Sequence, residues 1–259
     1  MHILYPADYF KPKRVDADFH PEAEAFRELG LRVLAVPFDE DGPRAIRSDL
    51  SGAVLYRGWM LNGQGYGGLV SRIKAAGGSP LTTEEDYLLT HHIPRWAPLL
   101  KELTPETVVL PNGSDFETEL RKLGWKEFFV KDYVKSLKVS MGSRISDPGM
   151  IGPLVEEMRK FRGTIEGGLC VRRVEALRPD TERRYFVLKG EAYAPDGGAV
   201  PDLVKACAER LGSPFFSVDI ANREDGELRV VEVGDGQVSD TVGWETEAFV
   251  QIFRGLASA

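Results

Sequence analysis

The segment from Phe216 to Gly236, FSVDIANREDGELRVVEVGDG, constrains the fold more than any other part of the sequence. Two runs of branched apolar residues flank the pair Asp225–Gly226. Asp-Gly between such runs is typical of a two-residue type I′ β-hairpin, because glycine tolerates the positive φ that the turn needs. The segment therefore predicts a hairpin in which Glu224 faces Glu227.

The same register places two carboxylates in the middle of otherwise apolar strands. Asp219 is predicted to lie directly opposite Glu232, while the neighbouring aliphatic side chains point to the other face, because side chains alternate along a strand: Val218, Ile220, Val231 and Val233. Directly opposed carboxylates repel each other. A divalent ion such as Mg²⁺, which uses one or two carboxylates together with substrate phosphates, would compensate for the repulsion. The alternatives are a solvent-facing strand pair, or a longer loop or bulge that breaks the register.

The composition excludes several classes of protein. With 259 residues, 42% of them apolar and 28% charged, the chain can form one large or two modest globular domains. The formal charge of −7 argues against a nucleic-acid-binding protein. No apolar run is long enough to span a bilayer, and the N-terminus lacks the order of a signal peptide, so no membrane association is expected. Cys170 and Cys207 show no paired spacing, are expected to be buried free thiols, and favour a cytoplasmic location.

The order of predicted elements changes along the chain. Residues 1–90 alternate strands and helices, which is typical of a small parallel-sheet α/β domain. Residues 91–259 contain a series of strands interrupted by few helices, which predicts an α+β domain with mainly antiparallel sheets. The boundary is placed loosely within 85–125. The Gly-rich stretch Asn62–Gly68 lacks both GxGxxG spacing and a Walker lysine, so it is interpreted as a loop.

Basic residues at strand ends are candidates for binding phosphate. Lys131 follows the apolar run FFV, and Lys135 follows it in a polar Ser/Gly-containing segment, where a lysine acts as a point charge on phosphates. Arg57 ends another apolar strand, and ligands of open parallel sheets bind outside the carboxyl ends of strands. For the two lysines, simple surface exposure at a strand end is the alternative.

Arginines in two later strands form a second group of candidates. Arg172 and Arg173 are consecutive in an apolar strand, so at most one is expected to face the same cavity as the predicted acids. Arg184 shares a face with Glu182 and is suited to clamping a phosphoryl group through two guanidinium nitrogens. An edge strand with one solvated arginine is the alternative for the Arg172–Arg173 pair.

Taken in order, these segments resemble an ATP-grasp ligase between Glu127 and about Ser239, preceded by the smaller α/β domain that such proteins carry. YRGWML and EVGDGQVS are similar to a divergent bacterial and phage clade of that family. The resemblance implies that Lys131 contacts phosphates, with Lys135 beside it, and that Arg184 is the phosphate-binding residue after the hinge. It also implies an adenine-binding hinge strand, whose last member is a possible ribose contact: Arg172, Arg173, Val174 and Glu175.

The resemblance further implies a metal site. Asp219 and Glu232 match the two acids that bind Mg²⁺ in the family. The usual Glu-x-Asn ending is absent, so either Asp235 supplies the third metal contact or that contact is lost. The first phosphate lysine of the family is not obvious, and Arg95 and Lys101 are the candidates.

The implied reaction is ATP- and Mg²⁺-dependent ligation of a carboxylate to an amine through an acylphosphate. Lys131 and Arg184 would stabilise the transferring phosphoryl group and Arg57 would orient the acceptor carboxylate, without a protein nucleophile. The implied partners are small-molecule or peptide carboxylates and amines, while the oligomeric state is not predicted. The competing predictions are a non-catalytic nucleotide-binding regulatory module and, third, a metal-free structural protein.

Overall fold

The computed structural model describes residues 1–39, 42–44, 46, 49–134, 142–162 and 165–257. The chain divides into two compact units. The first unit consists of residues 1–90, 183–219 and 233–259, and the second of residues 91–182 and 220–232. A break therefore lies between residues 90 and 91, where the sequence also placed one, but the later part of the chain contributes to both units. The division into domains 1–90 and 91–259 stays a prediction.

The first unit contains the predicted parallel sheet. Its strands and the helices between them are β1 (His2–Pro6), α1 (His20–Glu28), β2 (Arg32–Val36), β3 (Phe38–Asp39), β4 (Gly42–Pro43), β5 (Gly52–Tyr56), α2 (Gly63–Ala75), β6 (Gly78–Pro80) and α3 (Glu84–His91). The order β2-β1-β5-β6 is parallel throughout, and β3 and β4 form a separate antiparallel pair. All of β1 is buried, as expected for a central strand with apolar neighbours on both sides.

The second unit is built on an antiparallel sheet. Its elements are α4 (Ile93–Trp96), β7 (Thr107–Pro111), α5 (Phe116–Leu123), β8 (Phe128–Asp132), β9 (Arg144–Ile145), α6 (Ile151–Arg162) and β10 (Gly168–Arg173), with sheet order β7-β10-β8-β9. One face of this sheet packs on α5 and α6 through residues such as Val130, Val171 and Leu154. Because side chains alternate along strands, the other face carries Phe129, Lys131 and their cross-strand neighbours.

The remaining strands form a second four-stranded sheet. These are β11 (Arg183–Leu188), β12 (Glu191–Tyr193), β13 (Phe215–Asn222) and β14 (Leu228–Asp235), in the order β12-β11-β13-β14. Helix α7 (Asp202–Leu211) precedes β13, and α8 (Thr246–Gln251) and α9 (Arg254–Ala257) end the described chain. The predicted fold class, a small parallel-sheet α/β part with mainly antiparallel sheets after it, is confirmed.

Aromatic packing explains why the end of the chain belongs to the first unit. Phe249 and Phe253 pack against Phe26 of α1, with ring centroids 6.4 and 5.2 Å away, and against Phe215 of β13. Phe186 of β11 completes the cluster. All five rings are fully buried, and each such burial stabilises the fold by about 1.5–3 kcal/mol.

The interpretation of Asn62–Gly68 as a loop is wrong, because helix α2 begins at Gly63. The Asn62 side chain accepts a hydrogen bond from the Gly65 N–H at 2.8 Å, which caps the helix. Tyr66 is buried, stacks on Tyr87 with ring centroids 3.9 Å apart, and donates to the Thr82 carbonyl. This packing outweighs the low helix propensity of the glycines.

The predicted two-residue turn of the hairpin is also wrong. The Arg223 N–H donates to the Glu227 carbonyl at 2.7 Å, and the Gly226 N–H donates to the Arg223 carbonyl at 2.9 Å. Arg223, rather than Glu224, therefore faces Glu227 across a three-residue loop. A type I′ turn needs positive φ at both Asp225 and Gly226, whereas only Gly226 has it, at +92°.

The far end of the hairpin has a different register. There the Gly236 N–H donates to the Phe215 carbonyl at 3.2 Å. Between this pair and the Arg223–Glu227 pair, the second strand contains one residue more than the first, which indicates a β-bulge. Because the bulge compensates for the shift at the turn, the facing of Asp219 and Glu232 stays a prediction.

No helix in the part of the chain that the structure describes has the length and apolar character needed to cross a membrane.

Candidate functional site

A cavity of about 210 Å³ lies within the second unit at Lys131. Its walls are Pro105, Phe129, Lys131, Arg172, Arg173, Val174, Glu175, Leu177, Glu182, Val231 and Glu232. The cavity brings together the predicted phosphate lysine, the four predicted hinge residues and one of the predicted metal acids. Both Arg172 and Arg173 line it, so the expectation that at most one would do so is wrong. Arg173 is the last residue of β10, where the strict alternation of side chains ends.

Lys131 forms a buried ion pair inside this cavity. Its side chain is 3% exposed, and Nζ donates to Glu232 Oε2 at 2.7 Å. Nζ also lies 5.8 Å from the ring centroid of Phe129. The Glu232 side chain keeps 20% of its surface exposed. A charge held in so dry a place interacts strongly with an incoming phosphate, which can replace Glu232 as the partner of Lys131.

Arg172 joins β10 to β14 next to Glu232. Nη1 donates to the Val231 carbonyl and Nη2 to Thr104 Oγ1, both at 2.5 Å, and the guanidinium lies 5.8 Å from the Trp96 ring centroid. Burial lowers the pKa of Arg172 to about 10, so it remains charged at neutral pH. Nε has no hydrogen-bond partner in the described part of the chain. These bonds hold the backbone immediately before Glu232 in place.

Glu175, the predicted ribose contact, is held by an arginine that sequence reasoning missed. Arg229 donates to it through two nitrogens, at 2.8 and 2.9 Å, and also donates to the carbonyls of Glu102 and Thr104. Its place in a hairpin strand after a turn gave it the appearance of a solvated residue. The pairing with Glu175 depends on a contact across 54 sequence positions.

In the first unit, Arg184 and Asp219 form a two-pronged ion pair. Arg184 Nε and Nη2 donate to the two carboxylate oxygens of Asp219 at 2.7 and 2.6 Å, and Nη1 donates to the Asp240 carbonyl at 2.8 Å. The predicted phosphate-binding arginine and one predicted metal acid are therefore partners in this structure. Each predicted metal acid has its own cation, as Glu232 has Lys131.

Arg57, the predicted acceptor-orienting residue, is 4% exposed and enclosed by protein groups. Nε and Nη2 donate to Glu22, both at 2.7 Å, and Nη1 donates to the carbonyls of Gly236 and Ser239 at 2.5 and 3.0 Å. The guanidinium also lies over the ring of Phe249, 4.7 Å from its centroid. A substrate-orienting role stays a prediction. The contacts favour a positioning role, in which Arg57 fixes the segment after β14.

Asp235, the candidate third metal ligand, is completely buried in the first unit. Oδ1 accepts from the backbone N–H and Nε2 of Gln237 at 3.0 and 3.1 Å, and Oδ2 accepts from Thr90 Oγ1 at 3.3 Å. Burial raises the pKa of Asp235 to about 7. Both oxygens are thus occupied by protein donors, which favours a structural role.

The other predicted residues lie elsewhere. Lys135 is outside the described residues. Arg95 is exposed, and Lys101 lines a second cavity, so neither of these candidates for the first phosphate lysine lines the cavity at Lys131. Among the residues that the structure describes, no three His, Cys, Asp or Glu side chains come together as a metal site.

The cysteines are buried and free, as predicted. Burial raises the pKa of both Cys170 and Cys207 to about 12. A thiol of that pKa stays protonated at neutral pH and is a poor nucleophile. The chemistry available to the described residues is therefore binding, positioning and charge stabilisation.

Comparison with protein families gives one match, to an ATP-grasp domain, the third family of its clade, over residues 90–252. No curated protein matches the chain in sequence. The match covers well over half of the 259 residues.

Several solved structures share the whole fold. D-cycloserine synthetase DcsG is 15% identical with a TM-score of 0.68, and the match covers 99% of this chain and 100% of that one. A RimK domain ATP-grasp protein from Sphaerobacter thermophilus DSM 20745 is 17% identical with a TM-score of 0.66 over 100% and 98% of the two chains. ATP-grasp ligase PsnB, complexed with a minimal precursor, Mg and ADP, is 11% identical with a TM-score of 0.62 over 100% and 98%. At these identities the likeness establishes the fold.

Proposed function

This chain belongs to the ATP-grasp domain family that its residues 90–252 match, and from that membership we propose that it is an ATP- and Mg²⁺-dependent ligase that joins a carboxylate to an amine. The observation that carries the proposal is the cavity at Lys131. It gathers a buried lysine, the predicted hinge residues and Glu232 around one space. Titratable groups that converge in a cavity are typical of a ligand site.

The lining of the cavity suits a nucleotide. Lys131, Arg172 and Arg173 supply positive charge for a polyanion, and apolar walls such as Phe129 and Leu177 suit a flat base. In the proposal, Lys131 holds phosphate oxygens while the Arg172–Glu175 segment holds the nucleoside.

The two predicted metal acids suit Mg²⁺, since they are hard oxygen ligands and Mg²⁺ takes one or two carboxylates together with phosphate oxygens. Both acids have a cation as partner in the structure, Lys131 for Glu232 and Arg184 for Asp219. When a phosphate binds these cations, the carboxylates become available to a metal. Bound Mg²⁺ would neutralise phosphate charge during the transfer.

In the proposed reaction a carboxylate oxygen of the first substrate attacks the γ-phosphorus of ATP, and the bond to ADP breaks. The amine of the second substrate then attacks the carbonyl carbon of the acylphosphate. Phosphate leaves with the bonding electrons, and an amide forms after the nitrogen loses a proton. Lys131 and Arg184 stabilise the charge on the transferred group, and Arg57 acts through the segment that it fixes.

The substrates are proposed to be small molecules or peptides. Solved relatives include a D-cycloserine synthetase and a ligase complexed with a precursor peptide, so both classes fall within the proposal.

The test is ADP release in the presence of hydroxylamine, which replaces the amine and traps an acylphosphate as a hydroxamate. Panels of amino acids, N-acetylated amino acids and peptides serve as carboxylates. Carboxylate-dependent ADP and hydroxamate in equal amounts are expected, and Lys131→Met should abolish both, while Lys122→Met, at an exposed lysine, should not. Mg²⁺-dependent ATP binding without ADP release across all panels would favour the regulatory module.

A further inference from the structure

The second unit contains another cavity, of about 690 Å³, beside the one at Lys131. Its floor is apolar and rich in proline, with Pro98, Pro105 and Val109 among the walls. Cavities of several hundred Å³ that combine apolar walls with a few polar groups are typical of small-molecule sites. The nucleotide proposed above does not account for this space.

The charges around the cavity favour an anion. Four cationic side chains line it, Lys101, Arg173, Arg223 and Arg229, against three acids, Glu102, Glu106 and Glu175. The lining thus carries a net positive charge in a chain whose formal charge is −7.

Three of these cations already have partners. Arg229 is bonded to Glu175, Arg173 lies 3.6 Å from Glu106, and Arg223 pairs with the acids of its own turn. Lys101 has no ion pair in the part of the chain that the structure describes, and it is exposed at the cavity wall. One available cation among three carboxylates suits a single negative charge better than a dianion, because like charges repel.

We propose that this cavity is a second ligand site, separate from the nucleotide cavity, for a small organic monoanion with an apolar body and one carboxylate. The body packs on the proline-rich floor, and the carboxylate accepts hydrogen bonds from Lys101.

The proposed site is coupled to the nucleotide cavity. Pro105, Arg173 and Glu175 line both cavities, and Glu175 is held in place by Arg229, which lines the second one. A ligand that contacts Arg229 changes how Glu175 is held. Binding of the anion and of a nucleotide therefore affect each other, and by linkage the effect is equal in both directions.

The test uses calorimetric titration of the full chain with 3-phenylpropionate and with the uncharged 3-phenylpropanamide. We expect the acid to bind about tenfold more tightly than the amide, as a charge-assisted hydrogen bond allows. Lys101→Met should reduce the acid to the affinity of the amide. The control Lys122→Met, at an exposed lysine of the same unit, should leave the preference unchanged.

A titration at increasing ADP separates the two cavities. Coupled but distinct sites predict that the Kd of the acid reaches a plateau once ADP saturates. A Kd that rises in proportion to ADP would mean that the acid occupies the nucleotide cavity, and would overturn the proposal. So would equal affinities of acid and amide for the unaltered protein, a result that needs no variant to fold. An unchanged preference in a folded Lys101→Met protein would also overturn it.

Discussion

Arg57 and Lys131 present the same pattern in the sequence and different surroundings in the structure. Each follows an apolar strand core, each is almost fully buried, and each pairs with a glutamate at 2.7 Å. Arg57 also bonds two carbonyls and lies over an aromatic ring, and no cavity described here includes it. Lys131 lines a cavity with its glutamate. A buried cation is therefore a functional candidate only where its surroundings leave space for a ligand.

The largest expected effect comes from breaking the enclosed network. Arg57→Met leaves Glu22 without its cation and frees the carbonyls of Gly236 and Ser239, so we expect a loss of about 3–5 kcal/mol in the free energy of unfolding. Urea denaturation measures it. The matched control is Arg27→Met, which removes an exposed pair with Glu24 and should cost at most about 1 kcal/mol. Equal costs for the two variants would contradict the structural role of Arg57.

Asp235 adds a pH dependence to the same region. Its pKa is raised to about 7 in the folded protein by burial, above its value in the unfolded chain, so the folded state binds the extra proton. Stability due to this group is present at about pH 4 and lost as the pH rises through about 7. Above that pH we expect the wild type to have lost on the order of 3 kcal/mol relative to its value at pH 4.

Asp235→Asn separates this effect from other titrations. The amide oxygen can accept from Gln237, and the amide nitrogen can donate to Thr90 Oγ1, so the buried contacts are preserved. Urea denaturation at several values of pH should show a smaller fall in the variant. Parallel pH profiles of wild type and variant would contradict the raised pKa.

Smaller effects should distinguish the two glutamates. Glu232→Gln should reduce Mg²⁺-dependent nucleotide affinity by about tenfold, because the proposed metal loses a charged ligand, and should change the unfolding free energy little. Glu22→Gln should do the reverse, lowering stability through Arg57. Fluorescence titration of a nucleotide analogue and urea denaturation measure the two properties, with Glu227→Gln, at an exposed position, as the control. A Glu232→Gln variant that loses stability as Glu22→Gln does would remove the distinction.

The fold and the candidate nucleotide cavity could be predicted because their signals are local. Strand periodicity, a lysine after an apolar run and a consecutive hinge segment are all readable within about ten residues. The parallel sheet of the first unit and the shared cavity of Lys131 and Glu175 agree with those signals.

The parts that could not be predicted depend on contacts between residues far apart in the sequence. Helix α2 forms at a glycine-rich stretch because Tyr66 stacks on Tyr87. Arg57 is enclosed by Glu22, which is 35 positions away, and Glu175 is held by Arg229. The hairpin turn failed for a different reason: Asp-Gly is compatible with more than one loop, and the local pattern does not choose between them.

The comparison between the two cations rests on Lys131, so calorimetric titration of ATP into wild type and Lys131→Met, with Mg²⁺ and with chelator, is the most direct test. We expect wild type to bind ATP more tightly with Mg²⁺. Lys131→Met should bind about thirtyfold more weakly in both conditions, as loss of a charge-assisted contact of about 2 kcal/mol requires. Equal ATP affinity in the two folded proteins, or no binding by wild type, would show that the cavity at Lys131 is not a nucleotide site.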